Sequence, residues 1–250
     1  MKRNSTYILL LITLSAVFCA CSRNKDFLPK GFTQLPSLIH TSNSDGIVNS
    51  YQLQYDMNQQ IIGMTEMDST KISFDYVGKQ LARICKKDSG QTNAFVKAEF
   101  IYSGSELVKI ISYVSSSPFE IDISYDALSK LYTARTNTGL YQFQYDAEGN
   151  LLYHNSAIME RATIIHGKEQ NGIFNKVSIP MALSIYYAFY DASTSFLFFN
   201  KKTIETVRYN ELGQVRKYSY KKDGDDLLNE IEIQGDQGYY EKLTIEYNAH

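Results

Sequence analysis

Tryptophan is absent from the 250 residues, and cysteine, histidine and proline number only three, four and four. Each scarcity closes off a class of chemistry. Cys85 alone lies beyond Cys21, which excludes a disulfide framework; following Ala82, Arg83 and Ile84, it reads as a small buried side chain. His40, His154, His166 and His250 have no second histidine, cysteine or carboxylate at ligand spacing, so no zinc site is expected, and His154 and His166 read as polar surface. No serine sits in a Gly-x-Ser-x-Gly elbow, and no glycine-rich loop opens a helix to hold a phosphate. These absences leave no catalytic residue to name, no metal and no cofactor. Nor is there an excess of positive charge. The formal charge is −2, falling to −4 without Lys2 and Arg3, which counts against a nucleic-acid partner.

Long apolar runs are missing too. The longest, Tyr7 to Phe18, has 12 residues broken only by Thr13 and Ser15, against the ~20 a spanning helix needs. Lys2 and Arg3 precede it, and Cys19, Ala20 and Cys21 follow, an order that describes a signal peptide over residues 1–20. Its end resembles the lipobox of bacterial lipoproteins, with Ala20 before an acylated Cys21, although Phe18 stands where leucine is usual and Cys19 is atypical. The resemblance implies a lipid on Cys21 and a membrane as partner. Ser22 after the cysteine resembles lipoproteins sent to the outer membrane, with the periplasmic or surface side left open. An ordinary cleaved leader is the alternative. Residues 21–48, with Pro29, Gly31, Pro36, Gly46 and the polar stretch from Thr41 to Asp45, read as a tether.

What is abundant is tyrosine, 20 in all. Tyr-Asp or Tyr-Asn recurs at Tyr55, Tyr125, Tyr145, Tyr190, Tyr209 and Tyr247, and in five of these an apolar residue follows six positions on: Ile61, Leu131, Leu151, Phe196 and Val215. Tyr76-Val77-Gly78 and Tyr102-Ser103-Gly104 begin shorter versions. The residues before each tyrosine alternate, as in Ile121-Asp122-Ile123-Ser124-Tyr125 and Tyr141-Gln142-Phe143-Gln144-Tyr145. Period two means strands with one apolar and one wet face. Aspartate after the tyrosine can bond its own backbone to start a turn, and Gly149 and Gly213 permit the reversal. The expected fold is all-β, a long antiparallel meander of hairpins over residues 49–250, curled or barrel-like. The acidic group Asp223-Gly224-Asp225-Asp226 reads as one more solvated turn rather than a calcium loop.

One segment departs from period two. From Asn175 to Tyr190 the chain reads NKVSIPMALSIYYAFY, which suits a short inserted apolar helix from Pro180, with Ser178 as its cap; a pair of buried strands is the alternative. Tyr186, Tyr187 and Tyr190, which fall outside the strand pattern, are the candidate ligand-binding residues.

Tyr145-Asp146-Ala147-Glu148-Gly149-Asn150-Leu151 resembles the YD repeat of Rhs-type proteins. From Tyr51 to Asn248 the chain resembles uncharacterised Bacteroidetes lipoproteins with a porin-like β fold. That resemblance implies a fold and no activity. The expected function is therefore a non-enzymatic envelope lipoprotein binding a ligand or partner, such as a glycan or an envelope protein. The alternatives are a hydrolase whose carboxylates meet only in the fold and an outer-membrane β-barrel pore.

Overall fold

The structure is a computed structural model that describes residues 34–46, 48–113, 117–155, 161–190 and 200–248. The leader, Cys21 and the first part of the expected tether lie outside these residues. Sixteen antiparallel strands follow one another in chain order and close into a barrel, the last pairing with the first. They are β1 (Pro36–Asn43), β2 (Val48–Tyr55), β3 (Ile61–Glu66), β4 (Lys71–Val77), β5 (Gln80–Lys87), β6 (Phe95–Ser103), β7 (Glu106–Ser112) and β8 (Phe119–Asp126). The remainder are β9 (Leu131–Arg135), β10 (Leu140–Tyr145), β11 (Leu151–Asn155), β12 (Ala162–Asn171), β13 (Lys202–Tyr209), β14 (Gln214–Lys222), β15 (Leu228–Gly235) and β16 (Tyr240–Tyr247). The all-β meander is as expected. One boundary is corrected: residues 36–43, read as tether, form β1, which pairs with β16 on one side and β2 on the other. Proline fits there because it opens the strand, where no ladder donor is needed.

Alternation sends one face inward. Ile121 and Ile123, Phe143 and Tyr145, Ile231 and Ile233, and Leu243 and Ile245 are all buried. Between them stand Glu120, Asp122, Ser124, Glu230, Glu232 and Thr244 on the outer wall. That wall is laced by charge: Lys221 bonds Glu230 and Glu232, and Lys242 also reaches Glu230. The Lys221 and Lys242 ammoniums hold the Glu230 carboxyl down at about 2.

The tyrosine repeat has a structural counterpart at one end of the barrel, here called the repeat end. Tyr55, Tyr76, Tyr102 and Tyr247, each closing its strand, donate their hydroxyls to the carbonyls of Pro36, Ile61, Leu81 and Leu228 at 2.7, 2.7, 3.0 and 2.8 Å. Each acceptor lies at the start of the preceding strand, so the bond pins two neighbours where the ladder would fray. Register shifts sit immediately before Tyr55, Tyr76, Tyr102 and Tyr145, bulges that keep tyrosine and partner facing inward. On β12 a histidine takes the tyrosine's place: Nε2 of His166 lies 2.9 Å from the Leu151 carbonyl. The aspartates build the turns as expected. Asp56 and Asp146 each accept two backbone N–H groups through Oδ1, and Gly149 turns at φ 87°. Asp223 does the same in the acidic turn.

Three recurrences depart from this pattern. Tyr125 is 43% exposed and stacks on Tyr132. Tyr209-Asn210 turns at the opposite end. Tyr190 ends a helix, α1 (Met181–Tyr190), because its neighbours carry no period-two alternation. The helix begins where expected, but Ser178 does not cap it. The Pro180 carbonyl accepts the first helical bonds from Leu183 and Ser184, while the Ser178 N–H donates to Gln59 in the β2–β3 turn. The inserted segment thus crosses the repeat end before α1 enters the barrel. Inside, Ala182 to Ala188 are all buried. Tyr187 reaches Met64 on β3, Tyr186 packs edge-on to Phe100 on β6, and Phe189 lies against Tyr141 on β10. A helix that is apolar on every side is stable only when surrounded.

His154 is corrected from surface to core. It is 3% exposed, stacks on Phe143 with ring centroids 5.2 Å apart, and its Nε2 has no hydrogen-bond partner among the described residues. Burial pushes its pKa down to about 4.

Two outcomes follow. Tyr145→Ala should lower stability by ~3–5 kcal/mol, as loss of a buried aromatic does, whereas Gln144→Ala on the outer face should cost ~1 kcal/mol for its bond to Ser129; chemical denaturation reads both. For His154, the unfolded chain binds the proton more readily than the folded one. Stability should therefore fall as pH drops from about 6.5 toward about 4, by ~3 kcal/mol at most. Denaturation curves across that interval should lose this component in His154→Phe.

Candidate functional site

The two ends of the barrel differ in chemistry. At the repeat end the inserted segment is tied down by a reciprocal pair of asparagines. Asn150 Oδ1 accepts from the Lys202 N–H and Asn200 Oδ1 from the Leu151 N–H, both at 3.0 Å. Both side chains are buried. Asn150 Nδ2 also donates to Asp146 Oδ2 at 2.9 Å. Burial works to raise the Asp146 pKa, but the Asn150 and Glu148 hydrogen bonds and Lys202 outweigh it and hold the carboxyl low. A pocket of about 50 Å³ lies beside this knot, between Glu148 and Gly149 of the turn and Phe174, Ser184 and Lys201 of the insert. Glu148 is the one carboxylate in its lining and pairs with Lys202 at 2.9 Å. The alternative reading as a hydrolase would need two carboxylates in such a pocket. The arrangement is an anchor for the insert.

Tyr186, Tyr187 and Tyr190 are brought together, but inside the barrel. Tyr186 is 1% and Tyr187 9% exposed, and Tyr186 packs on Tyr190 at 4.7 Å. The Tyr186 and Tyr190 hydroxyls are buried without a geometric hydrogen-bond partner. Their phenol pKa values are pushed up by burial, Tyr190 to about 12. A ligand would have to enter the closed interior to reach them; what they do here is fill it. Cys85, half-buried on the outer side, has its thiol pushed up by burial and by Asp75. Among the described residues no three His, Cys, Asp or Glu side chains gather to hold a metal.

The opposite end holds the feature that the sequence reading missed. On β14 the inward positions are Arg216, Tyr218 and Tyr220, alternating with exposed Lys217 and Ser219. A cation therefore occupies a position that elsewhere is apolar. Its guanidinium carbon lies 4.0 Å from the centroid of Tyr239 and 4.9 Å from that of Tyr209. Opposite Arg216 stands Gly235 on β15. A Cβ there would lie 3.2 Å from Tyr239 Cβ and 3.4 Å from Arg216 Cγ, so glycine makes room for the stack. Glu241, inward on β16 in phase with Leu243 and Ile245, accepts the Tyr239 hydroxyl at 2.7 Å. Burial and then this hydrogen bond raise the Tyr239 pKa. Tyr218 behind them is likewise pushed well up, by burial and then Tyr209. Arg216 makes no ion pair or side-chain hydrogen bond among the described residues. Its signal in the sequence was the phase it shares with Tyr218 and Tyr220, hidden because Lys217, Lys221 and Lys222 make the whole strand look basic.

No protein-family model matches the chain, and no curated protein matches it in sequence. Solved structures do resemble it. A porin-like protein from Bacteroides uniformis superimposes with a TM-score of 0.54 at 13% identity, covering 85% of this chain and 96% of that one. A Photorhabdus luminescens Tc holotoxin pore matches at a TM-score of 0.29 and 14% identity, over 78% of this chain and 9% of the toxin chain. At these identities the first likeness is one of fold: the chain shares a barrel architecture with the porin-like protein.

Proposed function

We propose that this protein is a cell-envelope lipoprotein, held to the outer membrane by a lipid on Cys21, whose barrel binds a ligand or partner without catalysing a reaction. The observation that carries the reading is the polarity of the wall. Charged and polar side chains predominate on the outside, where Ile62, Phe95, Ile101 and Leu140 are among the apolar exceptions on strands, and apolar ones make up most of the inside together with α1. A lipid-facing wall requires the reverse, since Lys or Arg at the bilayer midplane costs ~2–4 kcal/mol each. The strands, 5 to 10 residues long, are mostly short of the ~9–11 needed to span. Both points favour the lipoprotein reading over the pore alternative, and a barrel of this polarity needs another means of attachment. The leader ending in Ala20-Cys21 supplies one. The likeness to a porin-like protein from Bacteroides uniformis supports an envelope setting.

Cys21→Ala tests the anchor directly. Fractionation should move the protein out of the membrane pellet or leave an uncleaved precursor. Normal processing with unchanged detergent partitioning would remove the lipoprotein reading.

A further inference from the structure

We propose that the mouth of the barrel at the Arg216 end binds an acidic sugar, a hydroxyl-rich ring bearing one carboxylate, with Arg216 taking the carboxylate. This deepens the ligand-binding reading above and rests on it. The first support is the state of the guanidinium. Arg216 is half-buried on the inward side of β14. Two tyrosine rings, Tyr239 and Tyr209, lie against it. A guanidinium attracted to ring faces in this way still carries five N–H donors for a hydrogen-bonding partner. Those donors have no partner among the described residues. The in-plane fork is the geometry that a carboxylate meets with two parallel hydrogen bonds.

The second support is that the stack is built rather than incidental. Gly235 faces Arg216 across the ladder, and a Cβ there would press on Tyr239. The Tyr239 ring is fixed from its other end by the bond from its hydroxyl to Glu241. The Val215 N–H, next to Arg216, is held by Asp236 at 2.8 Å. A cation placed over a gap left for it, with both neighbours fixed, is pre-organised for recognition.

Glu241 decides the class of ligand. It lies one tyrosine away from Arg216 and carries the opposite charge. A ligand with several carboxylates, such as an acidic peptide, would set one of them against Glu241. A ring with a single carboxylate offers hydroxyl donors to Glu241 instead. Arginine, carboxylate and tyrosines together thus fit a ligand that is anionic at one point and hydroxylated elsewhere.

The test uses the full-length protein in detergent micelles, with titration calorimetry against three probes: galacturonic acid, galactose and a tri-glutamate peptide. Galacturonic acid should bind more tightly than either of the others. Arg216→Lys keeps the charge but not the fork, and should weaken that binding by about tenfold or more with the thermal midpoint unchanged. Glu241→Gln should raise affinity for the tri-glutamate peptide. No binding of galacturonic acid to the wild type would overturn the proposal, as would equal binding of galactose or the peptide. So would an Arg216→Lys protein that binds as before, or a Glu241→Gln protein that leaves peptide binding untouched. Because membrane fractionation of Cys21→Ala reads anchoring alone, a failure here leaves the envelope assignment standing.

Discussion

An antiparallel meander has two raw edges unless its first and last strands meet, and the rest of this structure depends on β1 meeting β16. Seven residue pairs, from Pro36 with Tyr247 to Asn43 with Glu241, form that seam. On its outer side His40 lies 3.8 Å from Glu246, and on its inner side Ile39 and Ile245 are buried. Without the seam, the N–H and C=O groups along the free edges of β1 and β16 would face water or another molecule, the hazard that closed barrels avoid. Closure also gives the apolar face an inside. Only then can α1, apolar all round, sit in the middle and complete the core.

The tyrosine repeat serves the same end at a smaller scale. A strand pair frays where its turn has left the ladder. Hydroxyl-to-carbonyl bonds from Tyr55, Tyr76, Tyr102 and Tyr247 close that weak point along much of the repeat end. Aromatic burial and a satisfied hydroxyl come from one side chain, which explains why tyrosine and not phenylalanine recurs. Tyr145 keeps the burial without the bond, packing edge-on to Tyr132 instead.

Much of the fold was legible because alternation is strict. Strands β8 and β10 read directly from Ile121-Asp122-Ile123 and from Tyr141-Gln142-Phe143, and α1 from a run too evenly apolar for a strand. β1 was hidden because its inward positions include Thr41, buried at 6%, and because Pro36 and the Ser42-Asn43 pair look like linker. A polar residue at an inward position erases the very pattern that reveals a strand. His154 and Arg216 were missed for the same reason: whether a lone polar side chain faces the core depends on register, which only the paired strands define. Tyr190 shows the converse, a tyrosine of the repeat placed at a helix end by its neighbours. Of the candidate site, the tyrosines of α1 were visible but fill the interior, while the Arg216 stack required Tyr209, Gly235 and Tyr239 to be brought together from three separate segments.

The polar outer wall and the closed, filled interior together set what the barrel offers to its surroundings, namely its two ends. One is tied by Asn150, Asn200 and the insert, and the other presents Arg216 among tyrosines. Both descriptions presuppose the β1–β16 seam, and native-state hydrogen exchange tests it most directly. The backbone amides of β1 should exchange only through the same global opening as those of β8, on the far side of the barrel. Free exchange along β1 while β8 stays protected would show an open sheet that begins after the tether, contradicting closure.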